Sequence, residues 1–226
     1  MRQLSDLGDS IQNDLAWRKK EVSDLRAAAS LAAESDRYIF RAGQVLLCAH
    51  WEGFLKKSAD LYLEHIFSQD IRLCECTPNI IAIAYFKDVM YASEAKSPGS
   101  KNHHISLAKK IRNDINTKIS KPKWQASTGG NPGTAELSAI LESIGVDENL
   151  GMSAAEWSTT KVFINEQLLK DRHAVAHGQR LTIKKGDLLS RSERLLNLLD
   201  TVHDKLMDSA ANKKYIIHST ELISPN

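Results

Sequence analysis

The sequence predicts an all-α protein built as a bundle of five to seven helices. Three observations predict it. Apolar residues recur at spacings of three, four and seven along most of the chain, the spacing of one helix face rather than of a strand. Helix punctuation falls where these periodic runs begin and end: Pro78 suits a first turn, Ser153 with Glu156 three residues on forms a capping box, and Gly178 suits a left-handed terminus. Strand-like pattern is confined to two short pieces, Leu181-Thr182-Ile183 and Tyr215-Ile216-Ile217.

Taken in order, residues 3 to 36 predict a long first helix, with Leu4, Leu7, Ile11, Leu15, Val22, Leu25 and Ala29 on one stripe. Residues 37 to 68 predict the most buried helix. Between Tyr38 and Trp51 its only formal charge is Arg41, and Ile39, Val45, Leu46, Leu47, Ala49, Trp51, Phe54 and Leu55 cover nearly the whole circumference. A helix apolar all round belongs in the middle of a bundle. Residues 78 to 95 give a third helix, and Ser97-Pro98-Gly99-Ser100 breaks the chain before a fourth over 103 to 119. After a loop at Ser127 to Gly133, residues 134 to 144 form a short helix. A further helix runs from Ser153, or restarts near Lys161, and reaches Gly178. Asp187 to Ser209 supplies the last amphipathic helix. With no internal repeat and no linker that would divide the chain, residues 1 to 226 are expected to form one domain, carrying a basic insert at about 96–133 and a flexible tail at about 214–226.

Composition bounds the class. With 42% hydrophobic and 26% charged residues, the chain is neither disordered nor fibrous. No apolar run approaches the ~20 residues of a membrane span, and the polar first ten residues, with Asp6 and Asp9, do not read as a secretion signal. Three cysteines, two of them at positions 74 and 76, form neither a disulfide framework nor a paired zinc motif. Reduced thiols and a cytoplasmic location are the expectation. The absence of a Gly-rich phosphate loop and of a Gly-x-Ser-x-Gly elbow argues against nucleotide hydrolysis and esterase chemistry.

The net charge of +2 conceals an asymmetry: residues 96 to 124 carry +7 and the remainder −5. Lys109, Lys110, Arg112, Lys121 and Lys123, ending in Trp124, are the residue types that bind a phosphate backbone and stack a base. A solvated Lys-rich helix and loop would read the same way, because contiguity in sequence is not one face in space.

The densest chemistry lies in Lys170-Asp171-Arg172-His173-Ala174-Val175-Ala176-His177-Gly178. His173 and His177, four apart, share a helix face. The helix C-terminus, with its partial negative charge, favours protonated His and Arg there. That stabilisation alone can account for an Arg-His-His cluster with no chemistry. His-x3-His is also the spacing of a zinc-binding helix, but no third ligand is nominated.

Arg172-x4-His177, with His173 after the Arg and Gly178 after the His, resembles the signature of the HEPN superfamily. Ala49-His50-Trp51-Glu52-Gly53-Phe54-Leu55-Lys56 on the second helix is similar to the RiboL-PSP-type or MAE-type branch. The resemblance implies a HEPN-like helical bundle and a metal-independent endoribonuclease, of toxin or antiviral-defence type. It maps catalysis to Arg172 and His177, with attack of a ribose 2′-hydroxyl on the adjacent phosphate. A His can move either proton near neutrality, and Arg172 offers a fixed planar fork for phosphate oxygens. His173 and Glu52 are supporting candidates, with Glu52 pairing either Arg172 or Lys56. No cofactor is implied. On one helix Arg172 and His177 point roughly 140° apart, so a homodimer with a composite site is expected, which is also what the resemblance implies. RNA and an antitoxin or defence-system protein are the expected partners. The alternatives are a non-catalytic HEPN-like module binding RNA, nucleotide or protein, and a structural or regulatory dimer. By default His50 reads as a satisfied core histidine, His103-His104 as exposed, and the tryptophans as packing.

Overall fold

The computed structural model of the chain describes residues 1–94 and 102–217. The Ser97-Pro98-Gly99-Ser100 break, Lys96 and Lys101 of the basic stretch, and the tail from residue 218 onward lie outside the described residues.

The architecture is all-α. Helix α1 spans Leu4–Leu31 and α2 spans Arg37–Ser68. α3 (Pro78–Ala84), α4 (Phe86–Ser93), α5 (Asn102–Asp114) and α6 (Thr134–Ser143) follow. A composite rod comes next, α7 (Ala154–Val162), a π-helical segment (Phe163–Lys170) and α8 (Asp171–Ala176), and then α9 (Lys185–Ala211). The three long helices α1, α2 and α9 pack on one another, and α6, the π segment and α8 lie against the rest of α2. Leu7, Ile11 and Val22 of α1 meet Trp51, Phe54 and Ile66 of α2 and Leu195, Leu199 and Val202 of α9 in one core, all fully buried. Among the described residues no helix is long and apolar enough to cross a membrane.

The second helix falls where its periodicity places it. The expected third helix is two pieces, because Tyr85 leaves helical geometry (φ −103°, ψ 17°). Its ring is buried and its hydroxyl donates to Asp114 at 2.8 Å, which fixes the bend. The expected fourth helix stops at Asp114, not 119, because the next residues pair with the chain after α2: Cys74 and Leu73 donate to the carbonyls of Ile115 and Thr117, and Ile119 donates to that of Ile71. The first helix ends five residues short of its expected limit, at Leu31. Leu181-Thr182-Ile183 pairs with nothing extended, whereas Ile216 makes an isolated bridge to Cys76.

α2 is not buried all round. From Phe54 to Phe67 its apolar residues are core while Lys57 and Glu64 are exposed; toward its start Tyr38, Ala42 and Ala49 are exposed, and Val45 and Leu46 half-buried. The partners supplied by this chain cover its other sides and leave that apolar stripe open, next to α8.

Candidate active site at the end of a widened helix

Arg172 and His177 end a helical rod whose course is set from both ends. At its start the Ser153 backbone N–H donates to Glu156 Oε2 at 2.9 Å, and the Glu156 N–H donates to Ser153 Oγ at 3.4 Å, the reciprocal capping box. At its close the Gln179 N–H donates to Ala174 O at 2.9 Å and the Gly178 N–H to Val175 O at 3.1 Å. This crossed pair of bonds terminates the helix with Gly178 at φ +71°, a conformation a glycine adopts without Cβ strain.

Between these ends the rod widens. Over Phe163–Lys170 it is π-helical, a form rare in general and frequent beside functional sites. The carbonyls this widening displaces have partners. Gln44, fully buried on α2, donates its amide to Gln167 O at 2.6 Å and Leu168 O at 3.3 Å. Arg191 of α9 donates to Gln44 Oε1 at 2.8 Å and pairs with Asp171 at 2.7 Å, with both side chains largely out of solvent. Arg194, one turn on, donates to Gln167 Oε1 and Thr159 O while its guanidinium lies 4.4 Å from the Phe163 ring centre. This network joins α2, α9 and the π segment, and it ends on Asp171, immediately before Arg172.

Arg172 is half-buried, and its Nη2 donates to Gly130 O; its positive charge lies close enough to the thiol of Cys48 on α2 to act on its titration. Burial pushes that thiol's pKa up, with Arg172 opposing the shift. Gly130 sits in a turn that Thr128 and Asn131 close, Asn131 N–H to Thr128 O at 2.9 Å, with Gly129 and Gly130 both at positive φ (56° and 80°). Positive φ at both central positions is the type I′ geometry that Gly-Gly accepts. The loop is fastened to α2 twice: Thr128 Oγ1 donates to Glu52 Oε1 at 2.6 Å, and Trp51 Nε1 to Pro132 O at 2.7 Å.

These contacts explain the phrase on the second helix. Trp51 holds the loop, Phe54 and Leu55 are core, and Gly53 leaves room for Arg18, whose Nη1 would stand 2.6 Å from a Cβ there. Glu52 sits 3.6 Å from Lys56 and is held by Thr128, so of its two expected partners it takes Lys56 rather than Arg172.

His177 is exposed and His173 half-buried, with ring centres 6.2 Å apart in an edge-on arrangement. Partial desolvation, then the neighbouring charge of Arg172 and His177, lowers the pKa of His173 below the usual histidine value. Among the described residues no hydrogen bond joins Arg172 to His177, and no group of three or more His, Cys, Asp or Glu side chains converges as a metal site.

The basic residues divide into two groups. Lys109, Lys110 and Arg112 are exposed on α5, which is tied to the chain just past the end of α2; Lys110 pairs with Asp88 at 2.7 Å. The stretch of α2 from Cys48 to that end is about 30 Å long. Lys121 and Lys123 lie on a strap that runs back along α2 toward the site: Lys121 is 3.5 Å from Glu64, the Ala126 N–H donates to Asp60 at 3.0 Å, and Thr128 follows on Glu52. His50 is buried, 3.0 Å from Glu21 at an angle too poor for a hydrogen bond, and His103 stacks on Tyr91.

The loop at Ser127 to Gly133 and the position of Asp171 beside the Arg were expected from the sequence, but not the roles of that loop, of Asp171, or of Gln44, Cys48 and Arg191. Asp171, beside the Arg, and Gln44, the lone amide in an apolar run, were the available signals. Arg191 gave none, since its partners are far away in sequence.

The RiboL-PSP-HEPN family model matches residues 13–208, a span that contains α2, the π segment and α8. No curated protein and no solved structure matches the chain. A match over most of the sequence, on an all-α frame with Arg172 and His177 at a helix end, places this chain in the RiboL-PSP-HEPN family.

Proposed function

We propose that the protein is a metal-independent endoribonuclease of toxin or antiviral-defence type, acting as a homodimer with Arg172 and His177 as its catalytic pair. Family membership suggests a nuclease-like or RNA-related module. The observation that carries the finer reading is an exposed His177 beside half-buried His173 and Arg172, all on a helix end secured from α2 and α9.

In the reaction, a histidine takes the proton of a ribose 2′-hydroxyl as that oxygen bonds to phosphorus. The bond from phosphorus to the 5′-oxygen breaks, and a second imidazole, protonated, supplies a proton to the leaving oxygen. The products are a 2′,3′-cyclic phosphate and a free 5′-hydroxyl. The guanidinium of Arg172 stabilises the charge on the phosphorane. The site calls for two imidazoles in opposite states. His173, whose pKa is lowered, suits the neutral role or phosphate positioning.

Two copies meeting on the open stripe of α2 would bring the adjacent α8 ends together. Tyr38, Ala42, Val45, Leu46 and Ala49 give that face its apolar character. Purified protein should cut RNA in EDTA and leave 2′,3′-cyclic ends, and His177→Ala should abolish the cut. Cleavage that survives the substitution removes the mechanism.

One observation favours a second reading. Arg172 already holds Gly130 O, so it can serve as a clasp on that loop in a non-catalytic RNA- or protein-binding module. RNA binding without cleavage by the wild-type chain would select that reading.

A further inference from the structure

The strap that reaches Arg172 also forms one wall of a groove against α2, with a volume of about 240 Å³. Trp124 stands in that wall, half-buried, and Leu61 and Phe67 of α2, both nearly buried, contribute an apolar floor. Lys57 and Lys121 stand exposed at the rim. Two carboxylates share the site: Asp60 accepts the Ala126 N–H, and Glu64 lies 3.5 Å from Lys121. The formal charges cancel, so the groove does not draw a phosphate into itself. It suits a flat, neutral ring with charged groups outside it.

We infer that this groove takes one unpaired nucleobase of the substrate, stacked on Trp124, with the flanking phosphates on Lys57 and Lys121. The inference rests on the RNA-directed reading above and adds a base-binding subsite away from the catalytic groups. The volume lies below the ~300–1,000 Å³ of pockets for drug-sized ligands and fits a single ring system. A base inside a duplex is stacked on its neighbours and cannot enter, whereas a splayed single strand offers its faces to an aromatic side chain. Continuity with the site is built into the chain. The strap passes from Lys121 beside Glu64, through Ala126 on Asp60, to Gly130 on Arg172. From Asp60 to Cys48 is about 18 Å along α2, a reach of a few nucleotides. The base therefore lies near the scissile phosphate without touching the catalytic groups. The cations of α5, which is tied to the chain just past the same end of α2, are not among the residues that line the groove.

The test is binding, measured with the full-length His177→Ala chain and a fluorescent single-stranded RNA or a hairpin duplex of the same length. The single strand should bind about tenfold more tightly or better, and Trp124→Ala should erase about that factor while Trp124→Phe keeps most of it. If Trp124→Ala fails to fold, Lys57→Glu on the exposed rim carries the test against Lys161→Glu, an equal charge change on exposed α7. Lys57→Glu should weaken binding more and lower the salt slope by about one more than the control. Equal affinity for duplex and single strand, or equal effects of the two lysine reversals, overturns the inference. A wild-type chain that fails to cut RNA would refute the cleavage mechanism and leave these binding comparisons readable.

Discussion

Arg172 and His177 are held very differently by the fold. The guanidinium is anchored to Gly130 O, while the imidazole of His177 is exposed beside His173. Arg172→Lys would keep a charge but lose the planar fork that can hold Gly130 O and still present N–H groups to a phosphate, so cleavage should fall by at least about tenfold with folding intact. A variant cutting at the wild-type rate would show that the fork is not used. Gly53→Ala is a purely structural counterpart. Its Cβ would stand 2.6 Å from Arg18 Nη1, and Arg18 is itself buried and paired with Asp14 at 2.7 Å. The substitution should cost about 1–3 kcal/mol in a denaturant titration, and an unchanged midpoint would mean that Arg18 swings aside freely. At this scale the sequence was readable where a motif carries its own spacing. Arg172, His177 and the left-handed Gly178 fall within one turn or so of each other, and local rules find them. Gln44 and Arg191 were not readable, because their role exists only once α2 and α9 have packed on the π segment.

The elements show the same division. Periodicity and capping located α2, α6 and the Ser153 start, since an amphipathic stripe and a cap are local facts. They did not separate α3 from α4, because that bend comes from the contact between Tyr85 and Asp114 across the fold. Nor did they show the π segment, whose widening needs acceptors satisfied from another helix. Gln44→Leu should therefore strand the Gln167 and Leu168 carbonyls in the interior and leave the Arg191 guanidinium with one partner fewer. The expected loss is about 1–3 kcal/mol of stability. Hydrogen exchange should rise first in residues 163 to 177. A uniform rise across all helices would mean that the residue acts on the core at large instead.

For the molecule as a whole, burial lowers the pKa of His50 and His65, with the Arg18 charge adding to the shift at His50 and that of the N-terminal amine at His65; Glu21 and the hydrogen bond of His65 to the Met1 carbonyl respectively oppose it. Both groups bind a proton more readily in the unfolded chain, where the pKa is about 6.5. Stability therefore holds above that value, declines as pH falls below it, and levels off beneath the folded-state pKa values. The melting temperature should drop between about pH 6.5 and 5, and His50→Gln should flatten part of the slope. A melting temperature constant over that interval would show that neither imidazole is held neutral.

Assembly belongs to this scale too. The apolar face Tyr38–Ala49 looks outward from a helix expected to be enclosed, and its place beside α8 suits a second copy. Leu46→Arg should give a monomer in sedimentation and lose RNA cleavage with it. In the proposed dimer, Arg172 and His177 act on one phosphodiester from two different subunits. Co-expressing Arg172→Ala with His177→Ala chains tests this most directly, because each mixed dimer keeps one Arg and one His on opposite chains. The account predicts that each variant alone is inactive and that mixed dimers recover a substantial fraction of wild-type cleavage. Mixed dimers as inactive as the parents, beside an active wild type, would contradict it.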